Sequence, residues 1–96
     1  HITGGGLVEN IPRILPNNCA VVLKKDSWPA LDVFTSIQSI GDIAEKEMYR
    51  TFNMGIGMVL VIEDKELEIV SNTLQNISPI FEIGKIVHGN KEVIIE

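Results

Sequence analysis

The chain has 96 residues, 45% hydrophobic and 22% charged, with 8 Lys+Arg against 13 Asp+Glu and a formal charge of −5. That length allows one domain at most, and the acidic balance argues against a nucleic-acid binder, since nothing is more basic than Lys24–Lys25. The single Cys19 excludes an intramolecular disulfide and a multi-cysteine zinc site, and no apolar run approaches the ~18 residues that span a bilayer. With no basic segment leading into an apolar one, the expectation is a soluble domain of a reducing, cytoplasmic compartment, with no membrane partner.

His1 leads straight into Ile2-Thr3-Gly4-Gly5-Gly6, and a chain that opens so close to a triple glycine reads as a piece of something longer. Leu7, Ile11 and Ile14/Leu15 recur at helical spacing, with Glu9 and Asn10 turned outward. A helix that starts at Leu7 must kink or break at Pro12, and Pro16-Asn17-Asn18 stops it. Residues 19–25 (CAVVLKK) read as a short strand. Asp26-Ser27-Trp28-Pro29 offers a polar cap and a proline, the start of a helix with Leu31, Phe34, Ile37 and Ile40 near one face and Gly41 after its end.

Asp42-Ile43-Ala44-Glu45 has capping-box spacing and opens a short helix in which Met48 and Phe52 meet. Residues 54–62 (MGIGMVLVI) are apolar on both faces, as a strand covered on both sides should be. Glu63-Asp64-Lys65-Glu66 puts negative charge in the first turn of a helix whose buried stripe is Leu67, Val70, Leu74 and Ile77. Residues 80–87 and 92–96 read as two strands joined by His88-Gly89-Asn90-Lys91, where Gly89-Asn90 suits a type II′ hairpin turn. This order predicts one α+β domain over residues 1–96, with four helices packed on a four-stranded, mixed, mostly antiparallel sheet.

Two constellations point to chemistry. Thr3-Gly4-Gly5-Gly6 opens a helix, where unpaired N–H groups and the helix dipole favour an anion and glycines let it approach. Asn10 and Arg13 lie near enough to add a side-chain donor and a charge; a flexible lead-in to the helix is the plain alternative. In Asn53-Met54-Gly55-Ile56-Gly57 the two glycines share one strand face, which suits close approach by a ligand or simply helix-on-sheet packing. Neither His1 nor His88 has a second ligand at metal spacing, His88 reads as solvent-exposed, and Cys19 reads as a buried inert thiol. Trp28 reads as a core or edge anchor. Glu45/Glu47 and Glu63/Asp64/Glu66/Glu68 read as solvated helix faces.

The segments His1-Ile2-Thr3-Gly4-Gly5-Gly6-Leu7, Glu9-Asn10-Ile11-Pro12-Arg13 and Leu15-Pro16 resemble the HITGGG…ENIPR signature of the aminoimidazole ribonucleotide synthetase family. Glu47 to Met58 resembles its EMYRTFNxGxGM segment, and Ser27-Trp28-Pro29 and Ile83-Gly84 fit too, so the likeness runs along the whole chain in order. The resemblance implies an ATP- and magnesium-dependent ring closure of formylglycinamidine ribonucleotide to aminoimidazole ribonucleotide, a step of purine synthesis. It implies a cleft between an N-terminal ATP-binding half and a C-terminal α+β half. This chain would be most of the latter, without its opening strand–helix unit, and inactive alone.

On that reading Thr3, Gly4, Gly5 and Gly6 hold the ribonucleotide 5′-phosphate, with the ATP γ-phosphate as the lesser alternative, and Asn10 and Arg13 are polar partners. Asn53, Gly55 and Gly57 form the opposite wall, and the nucleotide and magnesium ligands lie on the other half. No residue earns a general-base role; His1 is the one titratable group of the motif suited to neutral pH. The alternative is a non-catalytic small-molecule-binding or interaction module on the same fold. A sheet edge and apolar patch left uncovered would lead to self-association.

Overall fold

Proline decides how the first element is built. The computed structural model describes residues 1–96, and in it helix α1 (Gly6–Asn10) passes directly into a 3-10 turn over Ile11–Ile14 with Pro12 at its start. Pro12 has no N–H and a preset φ, which suits the opening of a new turn and not a helix interior. The expected kink is therefore a change of helix type. Strand β1 (Cys19–Leu23) follows, then a 3-10 turn at Lys25–Ser27 and helices α2 (Asp32–Gly41) and α3 (Glu45–Thr51). A 3-10 turn at Asp64–Glu66 leads into helix α4 (Leu67–Leu74), and strands β2 (Gly84–His88) and β3 (Val93–Ile95) end the order.

The fold is α+β, as expected, but its sheet has three strands in the order β2-β1-β3. Strand β1 is antiparallel to β2, from Cys19↔His88 to Leu23↔Gly84, and parallel to β3, from Val21↔Val93 to Leu23↔Ile95. The expected C-terminal hairpin does not form, because β1 lies between its two arms. The Gly89 N–H donates to the Asn18 carbonyl at 3.2 Å and the Lys91 N–H to the Cys19 carbonyl at 2.7 Å, so the link crosses the end of β1 instead of folding back on itself. The CAVVL strand buries Ala20, Val21 and Leu23 and takes the centre, leaving the edges to strands with no fully buried residue.

Residues 54–62 do not make the expected fourth strand. Met54 and Gly55 turn at positive φ, and Met58 to Ile62 neither donate nor accept a backbone hydrogen bond. Met58, Leu60, Val61 and Ile62 are exposed, not covered on two faces. An apolar run asks for burial, but a ladder also needs a neighbouring strand, and the sheet ends at β2 and β3.

The stripes read for the two longer helices face outward in part. Neither α2 nor α4 contains a fully buried residue; Ile40 is 89% exposed, and Leu67 and Ile77 are exposed as well. The cap read at Asp26-Ser27 is spent elsewhere, since the Ser27 N–H and hydroxyl both donate to the Lys24 carbonyl and close the 3-10 turn. Asp42 does not cap α3. It ends α2 in the left-handed region at φ 50, which a short polar side chain tolerates, and Ala44 precedes α3. Before α4, the Glu63 N–H donates to the Glu66 carboxylate at 3.1 Å.

One core forms where α1, its 3-10 extension, β1 and α3 meet, from Ile2, Leu7, Ile11, Leu15, Val21, Leu23, Trp28, Tyr49 and Ile56. Burial raises the pKa of the Tyr49 phenol, the Glu45 carboxylate adds to the rise and the Lys25 ammonium opposes it. A raised folded-state pKa stabilises fully below the unfolded value of about 10, and that contribution is lost as pH rises through the folded value. Chemical denaturation in alkali should therefore show stability falling above about pH 10 more steeply for the wild type than for Tyr49→Phe. Equal slopes would remove the assignment.

Candidate functional site

Every peptide oxygen of the glycine turn is engaged, while several of its N–H groups are free. Gly6 N–H donates to Thr3 O at 3.1 Å, and Glu9 N–H to Gly5 O at 3.3 Å. The Asn10 amide donates to the Thr3, Gly4 and Gly6 carbonyls at 3.2, 3.3 and 2.7 Å. The N–H groups of Thr3, Gly4 and Gly5 donate to nothing in the protein. A turn that hides acceptors and shows donors is a concavity suited to an anion.

Two of its glycines are required by geometry. Gly5 and Gly6 have φ of 97 and 64, and a Cβ on Gly6 would collide with the carbonyl oxygens of Tyr49 and Phe52. Gly6 is thus both left-handed and pressed against the end of α3. Around Gly4 the space is open.

Asn10 is not turned outward as its helical position suggested. It is 7% exposed, because the short α1 rolls it under the turn where the carbonyls it bonds are gathered. Its Oδ1 accepts the Thr3 hydroxyl at 3.0 Å and one Arg13 N–H at 3.3 Å. The Thr3 proton is therefore directed at Asn10, and the remaining N–H groups of the exposed Arg13 donate to nothing in the protein. The Glu9 side chain lies over Gly5, in the space a Cβ would take, and puts a negative charge beside the free donors. Nearby Arg50 opposes it. Its pKa is raised first by its hydrogen bond to Glu47 and also by the Glu9 charge.

The second motif lies beside the first and not across from it. Ile2 N–H donates to Gly57 O at 2.8 Å at one end, and Gly6 meets the Phe52 carbonyl at the other. Asn53 Oδ1 accepts the Gly55 N–H at 2.8 Å, bracing a turn in which Met54 and Gly55 have φ of 54 and 96. Gly57 has open space where a side chain would be. His1 is exposed at the start of this joint surface.

Sequence reading missed two supports of this site. Trp28 Nε1 donates to Met54 O at 3.0 Å and so holds the second turn across 26 residues. The α3 carbonyls against Gly6 are the other, and the third glycine of a run where a turn needs fewer was the available signal. No three His, Cys, Asp or Glu side chains converge at metal-binding distance.

Across residues 1–96 the chain matches the model for the AIR synthase related protein, C-terminal domain. The chain belongs to this family. Among curated relatives, it is 54% identical over 87 residues to the phosphoribosylformylglycinamidine cyclo-ligase of Citrifermentans bemidjiense, covering 90% of this chain and 25% of the relative. It is 51% identical over 96 residues to the protein of that name from Pseudothermotoga lettingae, covering 99% of this chain and 28% of the relative. With the one from Caldanaerobacter subterraneus the identity is 49% over 96 residues, covering 99% and 29%. The chain thus spans about a quarter of the length of these relatives. No helix is long and apolar enough to cross a membrane.

Proposed function

We propose that this domain is the C-terminal part of a phosphoribosylformylglycinamidine cyclo-ligase and that its glycine turn takes the 5′-phosphate of formylglycinamidine ribonucleotide. The observation that carries the reading is the set of free Thr3, Gly4 and Gly5 N–H groups beside Arg13, with every neighbouring carbonyl tied back. In this reading ATP, with magnesium, activates the formyl oxygen in a cytoplasmic step of purine synthesis, and those ligands sit on an N-terminal half. The domain's own part is to bind and orient the substrate, with Asn53, Gly55 and Gly57 continuing the cleft surface. By itself it is inactive.

The test is an amide NMR titration with formylglycinamidine ribonucleotide and, separately, with ATP–magnesium. Shifts at Thr3 to Gly6 with the ribonucleotide alone are expected. Silence there with both ligands would overturn the phosphate assignment, and shifts only with ATP–magnesium would move it to the nucleotide.

The chain also self-associates on this reading. Met58 to Ile62 present unpaired backbone groups and four exposed apolar side chains, an open template for a strand of a second copy. Light scattering should show mass rising with concentration for the wild type and less so for Val61→Lys. A constant monomer mass would remove the idea.

A further inference from the structure

We infer that Asn10 is a positioning residue for the anion site, acting on the turn and not on the ligand; the inference rests on the phosphate reading above. Its amide is fully occupied. Nδ2 is shared among the Thr3, Gly4 and Gly6 carbonyls, and Oδ1 accepts from the Thr3 hydroxyl and Arg13. An NH2 group has two protons and a carbonyl oxygen two lone pairs, so nothing is left for a ligand to use. Its burial points the same way, since a side chain 7% exposed offers almost no surface to solvent or substrate.

What Asn10 supplies is polarity. Carbonyl oxygens that faced an incoming phosphate would repel it, and this one NH2 draws three of them inward. The same residue's oxygen steers the Arg13 guanidinium toward the turn. An amide meets both needs, as it donates on one atom and accepts on the other. Leucine, of similar size, would leave three carbonyls unbonded, and an ionised carboxylate would repel them.

Asn10→Asp tests this because it makes the switch reversible. When protonated, the acid can donate to one carbonyl as the amide does; when ionised, it cannot. The charged groups that face the position are Arg13 in contact, Glu9 over Gly5, and Arg50 beyond Glu9.

Ribose 5-phosphate is the probe, titrated by NMR against wild type and variant from about pH 8 down to about pH 5. The variant should bind about tenfold or more weakly at the upper end, and the ratio to wild type should close as the new acid protonates. In the ligand-free variant, the Gly4 to Gly6 amide signals should follow the same titration. Intermolecular NOEs between the residue 10 side chain and ribose 5-phosphate would mark a residue that touches the ligand, and a merely structural residue would give a ratio independent of pH. Either result overturns the inference.

If wild type itself does not bind, the phosphate reading falls and this inference with it. Wild-type binding with a variant turn that does not titrate defeats the inference alone. Should Asn10→Asp fail to fold, Asn10→Ser retains one uncharged donor. It should bind about three- to tenfold more weakly with faster exchange at Gly4 to Gly6, and unchanged affinity would again refute the role.

Discussion

Gly6→Ala should be among the most damaging single changes in the chain. Its methyl group would meet the Tyr49 and Phe52 carbonyl oxygens, which are backbone and cannot rotate away, and the position sits at φ 64. Left-handed strain on a non-glycine residue costs roughly 1–2 kcal/mol and overpacking adds roughly 1–3 kcal/mol. A total of about 2–5 kcal/mol is a large share of the about 5–15 kcal/mol that holds a domain folded. The urea midpoint should fall accordingly. Gly4→Ala is the matched control, since open space surrounds that position and its φ is not positive, and it should stay within about 0.5 kcal/mol of wild type. Equal midpoints for the two variants would mean that α1 does not press on α3 as described.

Trp28→Ala follows, with an expected loss of about 3–5 kcal/mol from a large buried side chain. Trp28 is 7% exposed within the core, and its indole N–H also fastens the Met54 carbonyl of the second turn. Trp28→Phe separates the two roles. It retains most of the apolar surface but leaves the Met54 carbonyl unpaired, for a cost of about 1–3 kcal/mol. Circular dichroism reads the midpoints, since the only tryptophan is lost in both variants. In Trp28→Phe the Asn53 to Gly57 amide signals should move more than those of the sheet. A phenylalanine variant as stable as wild type would show that the indole bond contributes nothing net.

How much could be read in advance differed between local and distant relations. CAVVL was legible as a strand because its composition and length admit little else, and EKEMYRT as a helix because nothing in it breaks one. The core positions Leu7, Ile11 and Trp28 followed from spacing and size. Partners were not legible. The Gly89-Asn90 pair has the chemistry of a tight hairpin, yet β1 intervenes, and no local propensity encodes which strand lies between two others.

The apolar run at 54–62 signalled burial without saying against what. In the site, the glycines and the exposed Arg13 were readable as an anion-binding pattern. The inward turn of Asn10 was not, because helical spacing from Leu7 places it on the outer face and only the three carbonyls of the turn pull it under.

The central place of β1 sets the order in which the molecule can be assembled. Its antiparallel partner begins at Gly84 and its parallel partner ends at Ile95, so both pairings close loops of about sixty residues or more. Contacts of that separation slow folding, whereas α1 and α3 can meet earlier. During synthesis CAVVL emerges with neither neighbour available, and it remains an apolar strand with two open edges until residues 84–95 arrive. This domain is thus open to aggregation through β1 in the interval before β2 and β3 leave the ribosome.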